Sequence, residues 1–404
     1  MYQTTPLHKY LFWLLLLIGL SASLNSQAKS KLEISGEAGF EHRVFLDDPL
    51  NVNQHGNNSS LYIKSEFFYR LNNSSTITFS PFARIDENDD NRTHSDIREL
   101  LFHKTSSKWE FKLGIGKVFW GVTESQHLVD IINQTDAIES GDGEEKFGQP
   151  MAQLILKRKS GTWEFFLLPG FRERSFASMD GRPRNTPHVE TSLTQYESSR
   201  KKKHVDYAFR WSTNKGIWDL GLSYFNGTSR DPLLSPGTNN GNPVLIPLYN
   251  QIQQTGIDIQ ATKGSWLWKL ETIYRRGQNE PYTALTAGFE YTLSGVMKSR
   301  ADLGILMEYL YDDRQDSQKN PFEDDTLLGF RITFNDPNSS ALLAGYIFDN
   351  DSSESSSFIE FSRRVGQSWK LSLEGRFLSN TAVGGAFYSK RFDNHLQLEL
   401  SRHF

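Results

Sequence analysis

Residues 104–115 read KTSSKWEFKLGI. A basic segment closes, a short Ser-Ser-Lys turn follows, and Trp109 opens the next segment. From there the apolar side chains fall at every second position, through Phe111, Leu113 and Ile115, with Glu110 and Lys112 between them. A period of two is that of a β-strand with one apolar and one charged face. The same passage recurs as KRKSGTWEFFLL at 157–168, STNKGIWDLGLS at 212–223, ATKGSWLWKLET at 261–272 and RRVGQSWKLSLE at 363–374. Trp109, Trp163, Trp218, Trp266 and Trp369 thus share one depth beside five different turns. A soluble β-sandwich alternates too, but it has no reason to place an amphipathic ring at the same depth beside hairpin after hairpin. A membrane boundary does, because there the ring is apolar and its N–H stays wet. Backbone groups in hydrocarbon must all be paired, so a sheet that spans must close. The expected fold is all-β: a transmembrane antiparallel up-and-down β-barrel of the bacterial outer membrane, with the five tryptophans as its periplasmic aromatic girdle.

Outward from the repeat, segments of about ten residues alternate along the rest of the chain. They give eighteen expected strands, at 31–45, 60–71, 75–85, 96–105, 109–119, 151–158, 163–172, 205–212, 217–226, 249–262, 266–276, 282–293, 301–312, 326–335, 341–348, 357–364, 369–379 and 394–404. Sixteen is the alternative count. Short turns alternate with longer polar links, the pattern of periplasmic turns and external loops. The single long apolar run, YLFWLLLLIGL at 10–20, follows His8 and Lys9 and precedes small polar residues. That is the layout of a secretory signal peptide, expected over 1–28, with residues 29–404 forming one barrel domain. Cysteine is absent, which excludes disulfides and thiolate metal sites. A net charge of −4 gives no reason to expect nucleic acid as a partner.

Barrel size carries the functional expectation, since sixteen to eighteen strands enclose a water-filled channel unless something plugs it. The segment before Lys31 is too short for a plug domain. Alternation turns charges of both signs inward, among them Glu41, Arg43, Arg70, Arg84, Lys112, Glu271, Arg331 and Arg376. The connection at 121–150 stands apart. It carries apolar Leu128, Val129, Ile131 and Ile132, which a solvated loop would not need, and His127. Its acids Glu124, Asp130, Asp136, Glu139, Asp142, Glu144 and Glu145 face only Lys146. A loop this long without structure of its own is functional or disordered. Folded inward, it would set these acids and His127 at a constriction with Lys112, Arg84 and Arg70, favouring cations or polar neutral solutes; the alternative is an external flap. Arg182, Arg184, Arg200, Lys201, Lys202 and Lys203 form a basic cluster expected at the outer rim, fit for lipopolysaccharide phosphates or for funnelling anions.

No catalytic residue, metal site or cofactor is expected. DENDDN at 86–91 spaces oxygen ligands as calcium loops do, but lacks glycine at the sixth position and has Ile97 at the twelfth, leaving only loose Ca2+ binding by an external loop open. The histidines lack metal spacing, and no nucleophile elbow occurs.

A leader, sixteen to eighteen strands, a long third loop and a terminal Phe404 together resemble the bacterial outer-membrane porin families. GKVFWGVTES at 116–125 is similar to a stretch in porin-like proteins, where Trp-Gly leads from a strand into a loop. The resemblance implies passive diffusion of small hydrophilic solutes, the third loop inside the pore, and homotrimers. It also implies that Phe404 is the terminal aromatic read by the barrel-assembly machinery. The alternatives are a scaffold barrel around a partner protein or secreted chain, and an outer-membrane hydrolase.

Overall fold

Alternating segments such as HLQLELSRH pair edge to edge until no edge is left. The computed structural model describes residues 31–314 and 321–404, so the leader expected over 1–28 lies outside the described residues. Eighteen strands, from Leu32–Phe45 to His395–His403, form one sheet in which sequence neighbours pair antiparallel. The last strand closes on the first, with Phe45 opposite His395 and Glu41 opposite Glu399. The count is eighteen rather than sixteen. Most bounds fall within two or three residues of those read from sequence; Trp109–Gly116 stops three residues short of 119.

The barrel is inside out relative to a soluble protein. Leu396, Leu398 and Leu400 are exposed on the outer face, whereas His395 and Ser401 of the same strand are buried inside. Lumen carboxylates are among the least exposed groups in the chain, with Glu271 at 0% and Glu308 at 2%. An apolar band outside and a polar interior, with every edge paired, is the arrangement that hydrocarbon tolerates. The five tryptophans all lie by the short turns at the end that carries both described termini. Trp218, Trp266 and Trp369 are exposed, and Trp266 stacks on Trp268 at 5.3 Å and meets Tyr291 at 4.6 Å.

One element departs from expectation. Residues 233–248, read as loop, and Tyr249, read as the start of the next barrel strand, form a hairpin of Leu233–Asn239 and Asn242–Tyr249, to which Gln195–Tyr196 adds a parallel strand. Asn240 and Gly241 have φ of 51° and 84°, the paired positive values that a two-residue type I′ hairpin turn requires. This small sheet stands at the end opposite the termini, where the longer loops lie.

Candidate functional site

The third of those loops, residues 117–148, turns into the lumen. Val129, Ile131 and Ile132 are buried there with Trp120 against inward-facing Met151, Phe166, Leu168, Phe225, Ile252 and Ile273. At about 1.5–3 kcal/mol for each large apolar side chain removed from water, these residues are a reason for the loop to lie on the wall. Asn133 ties the two ends of the loop together. Its Oδ1 accepts the Val118 N–H at 2.8 Å, and its Nδ2 donates to the carbonyls of Gly116 (2.9 Å) and Phe147 (2.8 Å).

Two wall carboxylates hold the loop's first turn. Glu271 accepts the N–H groups of Val122 (2.6 Å), Thr123 (3.0 Å) and Val129 (3.2 Å), and the Thr123 hydroxyl at 2.7 Å. Glu308 accepts the N–H groups of Glu124 (2.7 Å) and Ser125 (2.8 Å), and the Ser125 hydroxyl at 2.6 Å. Sequence reading placed Glu271 on the lumen face but passed over Glu308, although Glu308 shares the phase of inward-facing Leu306 and Leu310.

Every acid singled out on the loop meets a cation. Glu124 pairs with Arg331 at 2.7 Å, Asp130 with Lys146 at 3.3 Å, Asp136 with Arg98 at 2.6 Å and Glu139 with Arg84 at 2.8 Å. Asp142 pairs with Arg376 at 2.9 Å, Glu144 with His127 at 2.8 Å and Glu145 with Lys64 at 3.7 Å. The expected bias toward cations therefore has no basis in an uncompensated acidic loop: wall cations far away in sequence meet five of these acids, and Lys146 and His127 of the loop itself meet Asp130 and Glu144. Burial pulls the His127 imidazole down, but the Glu144 and Glu271 carboxylates beside it prevail and raise it to about 10. Asp130 goes the other way, its burial pushing it above the usual carboxylate range despite Lys146.

Around Glu139 the pairs fuse into a buried network. Arg84 donates from Nε and Nη2 to both Glu139 oxygens at 2.8–3.0 Å. Arg43 donates to the Glu139 carbonyl at 3.2 Å, and Arg92 to that of Ile138 at 2.8 Å. Glu41 and Asp86 balance these guanidiniums, Arg92 reaching each at 2.8 Å. His94, Asp136 and Glu139 bring possible metal-ligand atoms within 4.8 Å of one another, yet both carboxylates already bind arginines. In the stretch read as a loose calcium loop, Asp86 likewise accepts from Arg92, Asn58 and the N–H groups of Asn88 and Asp89.

Between loop residues 137–145 and the wall lies a cavity of about 670 Å³, lined by Arg43, Arg331, Glu360, Glu374 and Arg376 among others. A second, of about 830 Å³, lies on the other side of the loop against Lys112, Arg210 and Asp258. Two expected constriction residues fall elsewhere. Lys112 belongs to the second cavity, and Arg70, paired with Glu33 at 3.5 Å, stands by the short turn after Asn72. Lys112 shares its cavity with the loop's first residues, 117–122, whereas the hollow that Arg70 lines with Glu33 and Glu66 holds no residue of the loop. The basic cluster also divides. Arg200 and Lys201–Lys203 are exposed, whereas Arg182 and Arg184 are buried. Arg182 binds Asp393 at 2.8 Å and the carbonyls of Asp47 (3.0 Å) and Phe392, with its guanidinium 4.1 Å from the Phe45 ring. It ties three loops together instead of presenting charge to the rim.

No protein-family model matches the chain, and no curated protein matches its sequence. Solved structures do match in fold. A BenF-like porin from Pseudomonas fluorescens Pf-5 is similar over 92% of this chain and 97% of its own, with a TM-score of 0.54 at 10% identity. Pseudomonas aeruginosa OccK2 (OpdF), solved in complex with glucuronate, is similar over 93% and 96%, with a TM-score of 0.54 at 11% identity. Pseudomonas aeruginosa OpdO covers 92% and 96%, with a TM-score of 0.54 at 8% identity. At such identities the likeness is one of fold.

Proposed function

We propose that this chain is an outer-membrane channel for the passive diffusion of small hydrophilic solutes. One observation carries the reading: an inward loop pinned to the wall on both sides leaves a charged cavity of about 670 Å³ beside it within an eighteen-strand barrel. Such a lining holds water and disfavours lipophilic solutes. Guanidiniums and carboxylates both face the passage, so it suits polar solutes that hydrogen-bond to either sign. Hydroxylated organic acids are the class to test first; OccK2, which shares the fold, is described with one bound. The reading is of a channel and not of an enzyme, because the lumen carboxylates described above are held by guanidiniums, Lys146, His127 or main-chain N–H groups. Homotrimer formation, lipopolysaccharide contact at Arg200 and Lys201–Lys203, and recognition of Phe404 by the assembly machinery are further proposals that go with it.

Purified protein refolded into planar bilayers should give discrete conductance steps, and liposomes containing it should swell at rates ordered by solute size across sugars, amino acids and organic acids. A protein that gives neither steps nor swelling is not an open channel.

A further inference from the structure

Besides the long, exposed Glu145–Lys64 contact, two tethers hold the loop tip, and they differ in kind. Glu139 is clamped by Arg84 in a buried pair, with both side chains 5% exposed. Asp142, three residues on, reaches Arg376 through one contact at 2.9 Å, the side chains being 26% and 25% exposed. Between the strands that carry these arginines, Ser75–Asp86 and Trp369–Ser379, the wall is an arc of three others: Asn57–Asn72, Leu32–Phe45 and His395–His403. The Asp142–Arg376 pair therefore spans the 670 Å³ passage at one side of that arc, while Arg84–Glu139 fixes the other.

Arg376 does not depend on Asp142. Its Nε donates to Glu374 at 2.6 Å and its Nη2 to Glu360 at 2.6 Å, so one guanidinium serves three carboxylates. When Asp142 leaves, Arg376 keeps both wall partners. Within the loop the other Asp142 oxygen accepts from the Ser140 hydroxyl at 2.7 Å and the Glu144 N–H at 2.9 Å, so the tip is a small self-contained turn, and a Cβ at Gly141 beside it would meet open space. A solvent-exposed pair of this type is weak and is screened further by salt.

We propose that Asp142 and Arg376 form a displaceable bar across the passage, and that this pair sets both its width and its ion selectivity. The proposal rests on the channel reading. Removing either partner releases the same bar but changes the local charge in opposite directions: Asp142→Asn takes one negative charge from the cluster around Arg376, while Arg376→Gln leaves Asp142, Glu360 and Glu374 uncompensated.

The test is single-channel recording in a KCl gradient. Both variants should conduct more than the wild type, with the reversal potential of D142N shifted toward the Cl− equilibrium value and that of R376Q toward the K+ value. Shifts in the same direction, or unchanged conductance in both, overturn the proposal. Because the chain has no cysteine, an Asp142→Cys/Arg376→Cys protein provides a second measurement in one folded molecule. Bridging the two thiols with a short bis-methanethiosulfonate reagent should lower conductance, and dithiothreitol should restore it. A bridge, verified by mass, that leaves the conductance unchanged overturns the proposal whatever the single variants do. A wild type without conductance steps would instead reject the channel reading itself.

Discussion

Arg84 and Glu139 meet across the lumen in a forked pair, two guanidinium nitrogens on one carboxylate at 2.8–3.0 Å, although their positions are 55 residues apart in the chain. Both are buried, so neither charge finds adequate water when the other is removed. Truncating one partner of a buried pair costs about 3–5 kcal/mol. Arg84→Met should therefore raise the opening equilibrium of the loop by roughly two to three and a half powers of ten. Hydrogen exchange at the amides of Asp136 and Glu139, which the closed loop holds in hydrogen bonds to Glu145 and Asp136, measures this. Unchanged protection at both would mean that the apolar cluster and the other anchors fix the loop without this pair.

The opposite shoulder of the loop hangs on carboxylates that accept main-chain N–H groups, an arrangement that depends on charge more than on shape. Glu308→Gln keeps the size of the side chain but loses the charge behind three short hydrogen bonds. Hydrogen bonds to charged groups contribute about 1.5–3 kcal/mol, against about 1 for neutral ones. The variant should show greater open-channel current noise as the segment around Ser125 loosens. Glu110→Gln, whose carboxylate pairs with Lys157 and His103 of the wall, should stay as quiet as the wild type; equal noise in both would refute the anchor.

His127 gives the same shoulder a pH dependence. Its pKa is raised from an ordinary 6.5 to about 10 by Glu144 and Glu271 acting against burial. A group whose folded-state pKa is raised contributes stability that is fully present below its unfolded pKa and lost as pH rises through the folded one. Loop anchoring should thus be complete below pH 6.5 and decline toward pH 10, seen as current noise or protease cleavage within 117–148 that grows over this interval. His127→Gln should flatten that response. A wild type as well protected at pH 10.5 as at pH 6 would show that the imidazolium holds nothing.

The barrel was legible because its information is local. Trp109, Phe111 and Leu113 declare their face within five residues, and hydrocarbon leaves a strand few alternatives to pairing. The external hairpin was missed: Pro236 and Pro243 disguised its strands as loop, although the Asn240-Gly241 pair marks the turn. On the inward loop, Val129, Ile131 and Ile132 announced a surface to be buried. What sequence does not carry is which cation meets which acid. Glu124 finds Arg331 across 207 positions and Asp142 finds Arg376 across 234, and only closure of the barrel brings them within reach. Read without those partners, the loop looked like a cation filter and Arg182 like a rim charge.

The closure itself yields the last prediction. Phe404 continues the final strand by exchanging two main-chain hydrogen bonds with Gly36, each of 3.0 Å. Its ring covers Gly36 so closely that a Cβ there would come 2.8 Å from the ring Cζ and 2.5 Å from the Lys64 carbonyl oxygen. The terminal aromatic and the glycine are thus one fitted unit at the seam. Gly36→Val should disturb the seam physically, lowering the yield of heat-modifiable barrel both on refolding into detergent and in cells. Deleting Phe404 removes two hydrogen bonds of about 0.5–1.5 kcal/mol each from a ladder of eighteen strands, so refolding in detergent should survive. If the residue is also read by the assembly machinery, the same deletion should sharply reduce the protein in the outer membrane of cells. Normal membrane levels of the deletion would leave Phe404 a seam residue and nothing more.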